Sequence, residues 1–203
     1  MKKLIALLAF FTLLGCNNKK EETAQTDSTV VAEKTFEEDS ATLSTTGISQ
    51  WVQEVLKEPD IPAEITLKEH WQEENLMVNS FTPAANFYTQ YNSVLRWSPD
   101  SNFIIDIGSY GTVLSKDAQG KTTIEPGEPD TELALIEPLK KLRTRLMFVG
   151  PSAEILDAKW VNNSNAMVIG TFDQTGNNKY DTLVWVIDVK DKFFRLYNVK
   201  SHR

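Results

Sequence analysis

The sequence predicts a mainly β domain of antiparallel strands with a helix at its N-terminal end, and three observations carry that prediction. Short β-branched and aromatic runs, separated by Ser, Pro, Asp, Asn and Gly, fill the chain from Val94 onward in the pattern of strands and turns. The same stretch repeats itself. Ahead of it, Ile48, Trp51, Val52, Val55 and Leu56 recur at helical spacing, and Pro59 and Pro62 stop any continuation.

Before the domain comes an address. Lys2 and Lys3 precede an apolar run from Leu4 to Leu14, broken only by Thr12 and too short to span a bilayer as a helix. It ends in Leu13-Leu14-Gly15-Cys16, and Cys16 is the only cysteine of the chain. This string resembles the lipobox of bacterial lipoproteins. The resemblance implies a cleaved signal peptide over residues 1–15, lipidation of Cys16, and a place in the cell envelope as an outer membrane lipoprotein. Each buried methylene contributes about 0.8 kcal/mol, so two or three acyl chains make the attachment effectively permanent.

Residues 16–45 follow as the lipidated cysteine and a tether. From Asn17 to Thr45 the residues are mostly Glu, Lys, Thr, Ser, Gln, Asn and Asp, with Phe36 the only aromatic, and such a segment cannot bury enough surface to fold. As a flexible coil it spans roughly 30 Å, enough to lift a domain clear of the headgroups. Its start, Lys19-Lys20-Glu21-Glu22, resembles the Lys-then-two-acids signal that sends some Bacteroidota lipoproteins to the cell exterior. Charges that merely solvate the tether are the other reading.

Charge narrows the partners. Loss of residues 1–15 removes two lysines and no acid, which leaves 19 basic side chains against 28 acidic ones and a formal charge of −9. That sign repels phosphate backbones and anionic headgroups, so nucleic acid is excluded and the lipid anchor is the expected membrane contact. With Cys16 acylated no thiol remains for a disulfide, a thiolate nucleophile or a cysteine-held metal.

Residues 46–203 form the expected domain, large enough to bury about 70% of its unfolded surface. After the first helix the pattern is open: Thr66 and Glu69 have capping-box spacing before Trp71, whereas Ile65 and Leu67 alternate as a strand does. The repeat is clearer. Arg96-Trp97, Ser101-Asn102 and Ile104-Ile105 align, 63 positions on, with Lys159-Trp160, Ser164-Asn165 and Met167-Val168. Asp130-Thr131, Ile136-Glu137 and Lys141-Leu142 align, 51 positions on, with Asp181-Thr182, Ile187-Asp188 and Lys192-Phe193. The first copy therefore carries about twelve extra residues, expected as an irregular polar loop between Tyr110 and Asp130.

Each copy contains four predicted strands. They are 94–97, 102–109, 132–137 and 143–149 in the first, about residues 94–149, and 156–161, 166–172, 182–189 and 193–199 in the second, about residues 156–199. Trp97-Ser98-Pro99-Asp100-Ser101-Asn102-Phe103, with Ile187-Asp188 in the second copy, resembles blade elements of TolB-type β-propellers. That resemblance implies two four-stranded antiparallel blade-like sheets. A closed ring takes at least four blades, so the alternatives are a β-sandwich or a dimer that adds blades, and a single chain is expected.

Few residues offer chemistry. The two histidines, His70 and His202, lack the local signature of a Ser-His-acid triad. His70, Glu73 and Glu74 would share a helix face at the spacing of a zinc site, against the plainer reading of a charged surface. The stretch Asp173 to Asp181 offers Asp173, Asn177 and Asp181 as oxygen ligands for calcium, but Lys179 opposes a cation and the composition suits a turn. Glu125, Glu128, Asp130 and Glu132 crowd the long loop as glycosidase carboxylates would, or as a solvated acidic loop does.

No cofactor or metal is expected. Trp51, Trp97, Trp160 and Trp185 fall at core positions, and Trp71 remains the candidate binding contact. The expected function is a lipid-anchored binding module for a protein partner, with a carboxylate- or metal-based hydrolase of envelope polymers as the alternative. Cys16→Ser is expected to abolish incorporation of labelled palmitate into the protein. Equal labelling of both forms would contradict the anchor.

Overall fold

The structure is a computed structural model that describes residues 48–57, 64–120, 122–173, 175–177 and 179–200. The signal, Cys16 and the tether lie outside the described residues. Strand accounts for 52% and helix for 10%, so the chain is mainly β as expected. Among the described residues the strands make two open five-stranded antiparallel sheets and a two-stranded ribbon.

After helix α1 (Ile48–Leu56) come strands β1 (Glu64–Gln72) and β2 (Val78–Ser80), then a short helix α2 (Phe87–Gln90). The first copy of the repeat supplies β3 (Leu95–Trp97), β4 (Ile104–Asp106), the ribbon β5 (Thr112–Lys116) and β6 (Thr122–Pro126), then β7 (Thr131–Glu137) and β8 (Leu142–Val149). The second copy supplies β9 (Ala153–Trp160), β10 (Asn165–Phe172), β11 (Asp181–Asp188) and β12 (Phe193–Lys200). The orders are β2-β8-β7-β4-β3 and β1-β12-β11-β10-β9, so each predicted meander forms and gains one outer strand from the N-terminal part.

Three local expectations change. Residues 64–72 form a strand, because Ile65 and Leu67 lie opposite Val199 and Tyr197 on an apolar face and this burial outweighs the capping-box spacing. A bulge between Leu67 and Glu69 then turns the strand over, so that Trp71 lies opposite Phe194 on the other face. Strand β4 is shorter than expected, since the Asp106 carboxylate accepts the N–H groups of Gly108 and Ser109 in a turn that ends it. The expected irregular loop contains the β5–β6 hairpin, whose Thr, Val and Ile residues pair across a turn that uses Gly120 at φ +78.

The two four-stranded sets correspond in pairing at one hairpin and differ by one residue at another. Glu137 faces Leu142 and Asp188 faces Phe193, 51 positions apart, and both hairpin turns hold a lysine, Lys141 and Lys192, at positive φ. Trp97 faces Ile104, whereas Trp160 faces Ala166, because the second turn is one residue shorter. By pairing, Ile104, Ile136 and Arg143 in the first sheet therefore correspond to Ala166, Ile187 and Phe194 in the second.

These equivalent positions face different surroundings. Ala166, Ile187 and Phe194 belong to the core shared by both sheets, together with Trp185 and with Ile105, Leu133 and Leu135 of the first sheet. Ile104 and Ile136 lie on the other side of the first sheet, with Leu95, under Phe81, Phe87, Tyr88 and Tyr91. The outer face of the second sheet is closed by α1, whose Trp51 and Val52 pack on Met167, Val184 and Tyr197. Asp157 of β9 ties the layers, accepting from Trp51 Nε1 at 3.4 Å and from Arg96 Nε at 2.9 Å. Within the core a side chain at Gly170 would meet the Glu154 carbonyl oxygen at 2.5 Å, so glycine is required there.

The tryptophans divide accordingly. Trp51 and Trp185 are buried, and Trp160 packs on the shared core while its Nε1 donates to the Arg96 carbonyl at 2.7 Å. Trp97 is 40% exposed, contrary to the core expectation, because among the described residues its side of the first sheet faces no second sheet. Trp185→Ala is expected to cost about 3–5 kcal/mol of stability and Trp97→Ala about 1 kcal/mol, read from urea unfolding midpoints. Equal losses would contradict the assignment of faces.

Candidate functional site

The outer face of the first sheet carries a buried charged network where the corresponding face of the second sheet carries core. Alternation along β7 and β8 puts Glu132, Arg143 and Arg145 on this side, and β4 adds Asp106 at its end. Arg143 donates from Nη1 to Asp106 Oδ2 at 2.6 Å and from Nε to Glu132 Oε1 at 2.9 Å. Arg145 Nε donates to Glu132 Oε2 at 2.6 Å, and the Ser109 hydroxyl donates to Asp106. Asp106 is 0% exposed and Glu132 5%, so two carboxylates and two guanidinium groups balance in a largely dry setting.

Aromatic rings frame this network. The Arg143 guanidinium lies 5.6 Å from the Phe81 ring centre, and that of Arg145 lies 4.6 Å from Phe148 and 5.8 Å from Tyr110. Tyr110 and Phe148 meet edge to face at 5.6 Å. Phe148 is nevertheless 46% exposed, so a rigidly backed aromatic and a partly exposed arginine are offered to solvent side by side. At the β3 side of the face Trp97 contacts Tyr88, whose hydroxyl is pushed above its ordinary pKa by partial burial.

The β3–β4 turn beside Trp97 is stiffened by its own side chains. Ser98 donates to Asp100 at 2.7 Å and accepts the Phe103 N–H at 3.0 Å. That hydroxyl is the first reason the exposed Asp100 carboxyl is held below the usual carboxylate range, with the Asn102 donors adding to it.

Apart from Glu132, the residues singled out by sequence as candidate ligands, catalytic groups or binding contacts lie elsewhere. Trp71 is half-buried, stacked on Phe194 at 5.2 Å and packed against the shared core. Asp173 is buried and its Oδ1 accepts the N–H groups of Thr175, Gly176 and Asn177, while Asn177 Oδ1 accepts that of Lys179. Asp181 is exposed at the start of β11. His70 is on a strand and exposed, so Glu73 and Glu74 do not share a helix face with it. Glu125 and Glu128 are exposed, but Glu132 belongs to the buried network and not to a solvated loop. Among the described residues no group of three His, Cys, Asp or Glu side chains is placed to hold a metal ion, and no helix is long and apolar enough to cross a membrane.

Comparison of the chain with protein-family models, with curated proteins and with solved structures finds no match. Arg143, Arg145, Asp106, Tyr110 and Phe148 were not singled out by sequence, although a signal existed. Arg143 and Arg145 recur at period two inside a strand that is otherwise apolar except for Thr144, as residues on one face do. Arg143→Ala strands buried carboxylates and is expected to cost about 3–5 kcal/mol. Phe148→Ala is expected to cost about 1 kcal/mol or less, which urea unfolding measures.

Proposed function

We propose that the protein is a lipid-anchored component of a bacterial cell envelope, held at the outer membrane by acylated Cys16 and acting by binding a protein partner. The observation that carries this reading is the corner formed by Tyr110, Arg145 and Phe148, on the outer face of the first sheet. Aromatic and arginine side chains dominate the energetics of protein interfaces. Here the pairing of Arg145 with Glu132 fixes the arginine in advance, which lowers the ordering cost of binding.

Placement supports the same face. Residues 1–47 enter the fold through α1, which lies on the outer face of the second sheet. A flexible attachment at α1 that lifts the domain clear of the headgroups leaves the outer face of the first sheet accessible to a partner. The two sheets are, in this reading, successive blade-like units packed in the same sense, not mirrored halves of a sandwich. Support comes from the registers: the face that the second sheet buries against the first corresponds to the face that the first sheet turns away. The partner thus occupies the position at which a preceding unit would pack.

A hydrolase draws no comparable support, since the Asp106 and Glu132 carboxylates are each engaged by arginine. A photo-crosslinking residue placed at Trp97 in living cells is expected to give a discrete adduct with one envelope protein, weakened by Phe148→Ala. The same residue at Lys190, in the exposed turn of the second sheet, is expected to give none. Equal adducts from both positions, or none from Trp97, would overturn the assignment.

A further inference from the structure

The β5–β6 ribbon pairs with neither sheet, its strands forming ladder bonds only with each other among the described residues. The main sheets protect their edges. The first ends in β2 and β3, three residues each, and the second ends in β1 and β9, both interrupted by a bulge and carrying charges such as Lys68, Glu69, Glu154 and Lys159. Short strands, bulges and charges are the devices that keep an edge from pairing with another chain. Strand β5 has none of them from Thr112 to Ser115. Val113 is 53% exposed and Leu114 36%, and a ribbon of two five-residue strands is marginal by itself.

We infer that β5 is the contact strand of a two-fold dimer, in which β5 of one copy adds antiparallel to β5 of a second copy. The ribbons join into a four-stranded sheet in the order β6, β5, β5, β6. A second copy is the occupant because the strand complements itself. An antiparallel edge meets its own image under a two-fold axis. With the axis at Leu114, Leu114 faces its counterpart, Val113 faces Ser115 and Thr112 faces Lys116, so no like charges oppose. Leu114 already faces Ile124 across the ribbon. The axis therefore lines up Ile124 and Leu114 of both copies in one apolar row across four strands.

Neighbouring registers are poorer. An axis at Ser115 sets Leu114 against Lys116, and an axis at Val113 flanks the central pair with Glu125 on both sides. The dimer leaves the two main sheets as they are and adds no blade to them. It also leaves the corner at Phe148 to its own partner, so the two proposals stand or fall separately.

Paired residues in an antiparallel sheet have Cα atoms about 4.5–5.5 Å apart, within the span of a disulfide. Leu114→Cys in the full chain, oxidised in cells with copper phenanthroline, is expected to give a covalent dimer on a non-reducing gel, above the background set by the unaltered chain with Cys16. Leu139→Cys, at an exposed residue in the turn at the far end of β7, is expected to stay monomeric. Val113→Cys and Ser115→Cys are expected to link to each other when co-expressed, and more weakly when expressed alone. Leu114→Lys, changing an exposed side chain, is expected to convert the sedimenting species of the purified full chain from dimer to monomer. Equal cross-linking at Leu114 and Leu139, or a full chain that sediments as a monomer with or without Leu114→Lys, overturns the inference.

Discussion

Two packed sheets have four faces, and only two of them can cover each other; the rest of this structure follows from what closes the other two. The inner pair forms a continuous apolar core from Ile105, Leu133 and Leu135 on one side and Val168, Trp185 and Phe194 on the other. The outer face of the second sheet receives α1, whose Trp51 and Val52 complete a second apolar cluster. Among the described residues no long helix packs on the outer face of the first sheet. The segment from Phe81 to Tyr91 covers only its β3–β4 side, and the remainder is closed by charge balanced against charge.

That solution is costly, which is what makes it informative. Taking carboxylates and guanidinium groups out of water costs several kcal/mol per ion, and a well-packed apolar set would do as well or better for stability. The second sheet demonstrates the apolar solution: the pairing position of Arg143 is Phe194 and that of Ala134 is Trp185. The first sheet keeps ions instead. With every carboxylate oxygen of Glu132 engaged by an arginine, the network fixes Arg145 beneath Phe148. Rigidity at an exposed aromatic is worth little to folding and much to recognition, because it removes the ordering cost at the moment of contact.

Much of the fold was legible from the chain because strand patterns are local. All eight predicted strands of the repeat form, and the spacing of 51 is kept down to the positive φ of Lys141 and Lys192. What was not legible depends on pairing between distant residues. One residue fewer in the turn before Asn165 shifts the register, so Trp97 and Trp160 hold the same sheet position but meet different surroundings. The bulge in β1 has the same effect within a single strand, sending Ile65 and Leu67 to one face and Trp71 to the other. The candidate site was missed for a related reason. Asp106, Glu132 and Arg143 are far apart in sequence and become a unit only once β4, β7 and β8 lie side by side.

The two four-stranded sets therefore differ in a consistent direction. In the second, β10 and β11 are joined by a short turn organised by the Asp173 carboxylate, and both faces of the sheet are buried. In the first, the matching connection is long enough to hold the β5–β6 ribbon, and it also delivers Tyr110 to the side of Phe148. Insertions of this kind are tolerated where the backbone reaches solvent, and loops set on a rigid scaffold are where binding residues collect. The second set supplies that rigidity and docks α1. The first set, whose outer face is closed by the segment from Phe81 to Tyr91 and by balanced charge, is the half in which new contacts can arise without loss of the shared core.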